Sequence, residues 1–306
     1  MEDMNLIVAP SPHLRDSDTT EKIMFSVLIS LLPVIGASFY FFGWDAVRLI
    51  LLSSATAIIT EYAFQYIRKI PIQIGDGSAL LTGVLLALCV PPSLPSWMVI
   101  IGSAFAIGIG KQVFGGLGHN PFNPALVGRA FLTASFAAAM TTWTAPFDAV
   151  TTATPLVLGA ARSSLPDLFF GSVAGSLGET SALAILIGGI YLFYKGVLDH
   201  RITVGVLGTV VIMALLTGQD PIFHLLAGSV LFGAVFMATD MVTSPITKGG
   251  RWIFGMGIGL IIMLIRIWGS YPDGVTFAIL LMNAVTPLLN RWTRPRIYGQ
   301  GVKVSE

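Results

Sequence analysis

Gly115-Gly116-Leu117-Gly118-His119-Asn120-Pro121-Phe122-Asn123-Pro124 separates two apolar runs, residues 95–110 and 124–141, that read as helices inside a membrane. Glycine and proline interrupt the backbone hydrogen-bond ladder here. In a bilayer the amides and carbonyls so freed have no water to bond. A break of this kind survives only where protein or a ligand satisfies it, and the helix that follows points free amides and a positive dipole end inward. Asn120 and Asn123 are therefore candidate ligand-binding residues. A matching break, Gly269-Ser270-Tyr271-Pro272-Asp273-Gly274, precedes the last apolar segment and adds Asp273 to the candidates.

The rest of the chain agrees with a membrane location. It has 306 residues, 54% hydrophobic and 11% charged, with a mean hydropathy of +0.81; a soluble domain carries about 25% charged residues. Ten apolar segments are legible, at about 23–42, 46–67, 77–90, 95–110, 124–141, 181–194, 202–217, 222–239, 252–268 and 274–290. The third is short and closed by Pro91 and Pro92, so it must be tilted, shielded by neighbours or extended through its flanks. With both termini cytoplasmic, 13 of the 17 basic residues fall on the inside, as the positive-inside rule requires. That orientation puts the long polar loop, residues 142–180, on the extracytoplasmic side.

Gly77-Ser78-Ala79-Leu80-Leu81-Thr82-Gly83 resembles Gly228-Ser229-Val230-Leu231-Phe232-Gly233, and Lys111-Gln112-Val113-Phe114-Gly115 echoes Arg266-Ile267-Trp268-Gly269. The offsets, 151 and 155 residues, are nearly equal. A five-span repeat must insert its second copy upside down, the plan of many secondary transporters. The expected fold is thus an all-α integral membrane protein of about ten transmembrane helices, two inverted five-helix repeats with broken helices. Its parts are a cytoplasmic N-terminal segment (1–22), a first repeat (23–141), the extracytoplasmic loop (142–180), a second repeat (181–290) and a cytoplasmic tail (291–306).

Several chemistries are excluded. No basic run interleaved with aromatics points to nucleic acid. The single cysteine, Cys89, rules out an intrachain disulfide and a cysteine-ligated iron–sulfur cluster within the chain. His13, His119, His200 and His224 are scattered without metal-ligand spacing, and no nucleophile–base pair suits hydrolysis. No catalytic residue is assigned. Residues 1–22 lack a signal-peptide core, so the first apolar segment is expected to remain as an anchor.

One polar stretch asks for covalent chemistry: Asp148-Ala149-Val150-Thr151-Thr152-Ala153-Thr154-Pro155-Leu156, where a hydroxyl precedes proline in an extended loop. Together with Ser11-Pro12-His13-Leu14-Arg15, Asp76-Gly77-Ser78-Ala79, residues 111–129, Ala238-Thr239-Asp240-Met241-Val242-Thr243-Ser244-Pro245 and Leu280-Leu281-Met282-Asn283-Ala284, it resembles the NqrB/RnfD family of electron-transport membrane subunits. The likeness is to the RnfD side, since the longer N-terminal region of NqrB proteins is absent.

The resemblance implies an electron-relaying subunit of an ion-translocating (sodium or proton) ferredoxin:NAD+ oxidoreductase in the cytoplasmic (inner) membrane, without turnover alone. It implies FMN joined through its phosphate to Thr154 by a flavin transferase, with Asp148 and Thr151 in the recognised sequence. The family's usual Ser-Gly pair stands here as Thr151-Thr152. A non-covalent riboflavin is implied too, sought at the broken spans around Asn120, Asn123 and Asp273. The implied partners are an FMN-bearing G-type subunit, small membrane A- and E-type subunits, an iron–sulfur B-type and an NADH-binding C-type subunit. Glu61, Asp240 and Asp273 are carboxylates in or near apolar segments, so each is a candidate for the ion path or for pairing with Lys111, Arg129 or Arg266. The competing readings are a solute channel or secondary transporter of urea-transporter-like fold, and a cofactor-free scaffold.

Overall fold

The computed structural model describes residues 19–147, 151–152, 156, 164–269 and 273–295. Asp148 and Thr154, residues 11–15, and Tyr271 and Pro272 lie outside the described residues.

The order is α1 (Thr20–Phe42), α2 (Trp44–Ile67), a 3-10 turn (Ile74–Asp76), α3 (Ser78–Leu88), α4 (Ser96–Ile107) running into a π turn (Gly108–Gln112), α5 (Pro124–Ser135) and α6 (Ala137–Met140). A hairpin of β1 (Trp143–Thr144) and β2 (Thr151–Thr152) and the short α7 (Leu165–Phe170) follow. The second half contains α8 (Ala182–Tyr194), α9 (His200–Leu216), α10 (Pro221–Leu226), α11 (Val230–Phe232) with a second π turn (Gly233–Met237), α12 (Lys248–Trp268) and α13 (Val275–Trp292). Helix lies in every one of the ten apolar segments. Three helices, α1, α2 and α12, are long and apolar enough to cross a membrane on length and composition alone. The chain is a multi-pass helical membrane protein.

Helix starts follow local chemistry. Thr19, Asn123, Ser164, Ser181, Asp199, Asp220 and Thr247 each cap the helix they precede by accepting a backbone N–H, and Pro124 and Pro221 occupy first-turn positions where no donor is needed. Packing then decides the architecture. α2 lies against α3 and α4, α4 against α5, α1 against α8, and α9 against α12, which in turn meets α13. Small residues bring α9 and α12 together: a Cβ on Gly255 would stand 2.5 Å from the Ile202 carbonyl oxygen, and one on Gly259 2.6 Å from that of Val206. Large apolar side chains such as Leu32, Leu51, Ile59, Ile190 and Leu216 stay on the outside, where lipid takes the place of a core.

Two features depart from the sequence reading. The eighth segment is not one span, because the chain stops at Leu226 and restarts at Val230 through Gly228, whose φ of +70° suits glycine. The last part of the long loop is not a solvated linker. Residues 175–181 are buried, the Leu177 and Gly178 amides donate to the Val90 (3.2 Å) and Leu88 (2.7 Å) carbonyls, and Ser38 Oγ donates to Leu177 O (2.6 Å). This inserted segment shields the short third helix and satisfies its last carbonyls, which explains how eleven residues of α3 suffice.

Between α8 and α9, outside the spanning segments, Asp199 meets the Arg201 guanidinium at 3.2 Å and is also paired with Arg251. Burial alone would raise its carboxyl, but the Arg201 amide and the two guanidiniums outweigh it and hold Asp199 below the ordinary carboxylate range. A depressed folded-state pKa contributes stability above the unfolded value of about 4 that is lost as pH falls through the folded value. Asp199→Asn should therefore flatten the acid side of the melting-temperature profile of detergent-solubilised protein between about pH 5 and pH 3; an unchanged slope there would contradict the pairing.

Candidate functional site

Two buried polar clusters and two cavities are built on the breaks. In the first cluster, Glu61 stands on α2 and Lys111 and Gln112 on the π turn that ends α4. Consecutive residues of an α-helix point about 100° apart; the wider turn, closed by Val113 N–H to Gly108 O at 3.0 Å, accompanies burial of both. Lys111 is 1% exposed. Its Nζ donates to both Glu61 carboxylate oxygens at 2.8 Å and to Ser78 Oγ at 2.6 Å. Gln112 Nε2 and Gln65 Nε2 donate to Glu61 Oε1 at 2.9 and 3.2 Å. Ser78 opens α3, and its own hydroxyl donates a hydrogen bond to Asp76 Oδ1 at 2.7 Å. A cation at a helix N-terminus is opposed by the dipole, so the carboxylates are what make Lys111 tolerable there.

The second cluster repeats this logic. Arg266, near the end of α12, donates to the His224 and Ala227 carbonyls at 2.8 Å each, capping the end of α10. It also faces Asp273 Oδ1 at 3.6 Å. Asp273 receives Arg129 Nη2 from α5 at 3.2 Å and the Ser229 hydroxyl, and Arg129 stands 3.9 Å from Glu179. Each cluster thus joins a left-handed glycine (Gly77, φ +74°; Gly228, φ +70°), the serine opening the next helix, a cation at the end of the fourth apolar segment of its half, and a carboxylate. Gly228 is doubly constrained, since a Cβ there would meet Leu156 at 2.6 Å and Arg266 at 2.8 Å.

Asn120, Asn123, Lys111 and Asp240 line one narrow cavity of about 80 Å³ between the starts of α1 and α3 and the segment after the second π turn. Asn123 is fully employed by the chain: its Oδ1 caps α5 at Ala125 and Leu126, and its Nδ2 donates to Met237 O of the second half at 3.4 Å. Asn120 donates to Phe122 O at 3.0 Å, while its Oδ1 has no partner among the described residues although the residue is 4% exposed. Asp240 accepts from Val242 N–H (3.2 Å) and Thr243 Oγ1 (3.0 Å) and forms no ion pair among the described residues. Asp273 is in the other cluster, so among the described residues the two broken segments do not line one pocket.

The loop that holds residues 148–156 is anchored at its described residues. β1 and β2 pair antiparallel with Trp143 opposite Thr152 and Thr144 opposite Thr151, and Phe147 N–H donates to Phe41 O at 3.2 Å. Leu156 packs with Leu168, Val173 and Ala227, and shares a small cavity with Trp143, Glu179 and Asp273. Sequence reasoning passed over Glu179, Gln112 and Ser229. A lone glutamate among small residues carried no periodic signal, whereas Ser229 was visible only as the counterpart of Ser78.

This arrangement defines a class: a polytopic helical membrane protein whose interrupted helices are held by buried ion clusters. Residues 7–299 match the NQR2, RnfD, RnfE family, and the chain belongs to it. It is 49% identical to the D-type subunit of the Na(+)-translocating ferredoxin:NAD(+) oxidoreductase complex of Acetobacterium woodii, across 98% of this chain and 97% of that protein. It is 44% identical to the D-type subunit of the proton-translocating ferredoxin:NAD(+) oxidoreductase complex of Clostridium ljungdahlii, across 95% and 96%. Identity to the D-type subunit of the ion-translocating oxidoreductase complex of Stutzerimonas stutzeri is 41%, across 93% and 94%.

Removing one member of a buried pair leaves an uncompensated charge, at a cost of about 3–5 kcal/mol. Lys111→Met and Glu61→Gln should each lower the stability of the solubilised protein by about that much, and the double variant by clearly less than their sum. Additive losses in a double-mutant cycle would deny the coupling.

Proposed function

We propose that this chain is the D-type membrane subunit of an ion-translocating ferredoxin:NAD(+) oxidoreductase complex, a redox subunit that works within its assembly. Near-full-length identity of 49% to a protein so named carries this reading. The relatives quoted are all redox-complex subunits, which favours it over a solute channel.

Ten spans in two inverted repeats, with termini on the cytoplasmic side of the inner membrane and residues 142–180 outside, are the arrangement we adopt. Support comes from the two matching glycine–serine–cation–carboxylate clusters and from the parallel packing of α2 on α4 on α5 and of α9 on α12 on α13. Thr154 is read as the threonine that a flavin transferase joins to FMN through the phosphate. The described flanks fit a tethered group, because β2 is hydrogen-bonded to β1 and Leu156 is seated against Gly228. Riboflavin is read as a second, non-covalent flavin at the first break, where Asn120 Oδ1 lacks a partner among the described residues; Asp273 is already engaged by Arg129 and Ser229. Flavins, when bound, supply reversible electron acceptance and release. The chain's own residues fix their positions and keep water out. Partner proteins of the G, A, E, B and C types would complete the complex.

For the transported cation, Asp240 is the carboxylate we retain. Glu61 and Asp273 are committed to Lys111, Arg129 and Arg266, whereas Asp240 accepts only from neutral donors among the described residues and faces a cavity.

After co-expression with a flavin transferase, the denatured and washed polypeptide should fluoresce as a flavin, and Thr154→Ala should abolish the signal. A bare residue 154 in peptide mass spectra of the intact complex would overturn the assignment. Asp240→Asn should reduce ion transport driven by electron flow at least tenfold while leaving the covalent flavin in place; transport at the wild-type rate would exclude Asp240 from the path.

A further inference from the structure

The first turn of α12 and the last turn of α13 border an open groove of about 870 Å³, with Ile246, Lys248, Arg291, Thr293 and Arg294 in its lining. The two helix ends are fastened beside it. The Thr247 and Thr293 hydroxyls are hydrogen-bonded to each other, and Ile246 N–H donates to Asn290 Oδ1 at 2.9 Å. No carboxylate lines the groove among the described residues. Lys248, Arg291 and Arg294 are exposed, and none of their side chains has an ion pair or hydrogen bond among the described residues. Arg201 and Arg251, by contrast, are both held by Asp199. One cation would suffice to relieve the negative dipole end of α13. Three around one groove make a positive field suited to an anion.

The depth of the groove narrows the choice of anion. α12 is long and apolar enough to cross a membrane, at about 1.5 Å per residue, and Lys248 is its first residue. The groove therefore stands where hydrocarbon gives way to headgroups. Trp252 and Trp292, both exposed, lie within about a turn of it, at the level tryptophans favour. From there an apolar stripe runs into the membrane. Trp252, Met256, Leu260 and Leu264 follow Lys248 at steps of four and are all exposed, and Leu281 and Leu288 are exposed on α13. A lipid with an anionic head and hydrocarbon chains matches both the cations and the stripes, whereas an acidic protein surface would match the charge alone.

We propose that this groove is a binding site for an anionic phospholipid, its phosphate held by Lys248, Arg291 and Arg294 and its acyl chains lying along the exposed stripes of α12 and α13. The two guanidiniums supply paired donors for phosphate oxygens, and the ammonium adds a point charge.

Photolabelling of the intact complex tests it. The complex is placed in phosphatidylcholine vesicles with a trace of phosphatidylglycerol that carries a diazirine in one acyl chain. After irradiation, label on this chain is located by peptide mass spectrometry. Each basic side chain near an anionic headgroup strengthens association about fivefold. Label should concentrate on residues 252–264 and 281–292 and exceed that from the matching phosphatidylcholine probe by roughly tenfold. Arg291→Gln/Arg294→Gln should remove that excess. Lys69→Gln/Lys195→Gln, which deletes the same charge elsewhere, should leave it unchanged, and excess inorganic phosphate should not compete. Equal labelling by the two lipids, undiminished labelling in the arginine variant or an equal loss in the lysine variant would overturn the proposal. Competition by phosphate would make the groove a site for a free anion, and no label at all would mean that protein covers it; either result also overturns the lipid assignment.

Discussion

Inside a bilayer a backbone amide or carbonyl has no water to fall back on, and every interruption of a helix must be repaired by groups brought from elsewhere in the chain. That constraint organises this protein. The end of α10 is closed by Arg266 from α12, the start of α5 by Asn123, and the end of α3 by amides of an inserted loop segment. None of these repairs is local to the helix it serves except the Asn123 cap, and even that side chain reaches across to Met237.

A cation buried beside a break creates a second problem, since a buried charge is costly unless it is paired and hydrogen-bonded. Both clusters meet it with a carboxylate from a different element: Glu61 of α2 for Lys111, and Asp273 ahead of α13 for Arg266 and Arg129. The helices are thereby tied in pairs that small-residue packing alone would leave free to slide. The same accounting separates carboxylates with structural duties from Asp240, whose hydrogen-bond donors among the described residues are neutral.

Function draws on what the repairs leave over. Where a polar group is fully engaged, as with Asn123, it holds the fold. Where capacity remains unused among the described residues, as with Asn120 Oδ1 and the cations Lys248, Arg291 and Arg294, the chain is equipped for something it does not itself contain.

The amino-acid sequence by itself determined the membrane class, the helical identity of the ten apolar segments, most helix starts and the two breaks, because hydropathy, caps and proline act over a few residues. It also disclosed the glycine–serine and cation echoes between the halves. Only the tertiary structure decided which carboxylate answers which cation, that Glu179 belongs with Arg129, that residues 175–181 are inserted, and that Asn120 and Asp273 serve different clusters. It also supplied the π turn that buries Lys111 with Gln112 and divided the eighth segment at Gly228. Those outcomes depend on groups 50 to 144 residues apart meeting in space, and no short window of sequence records such a meeting.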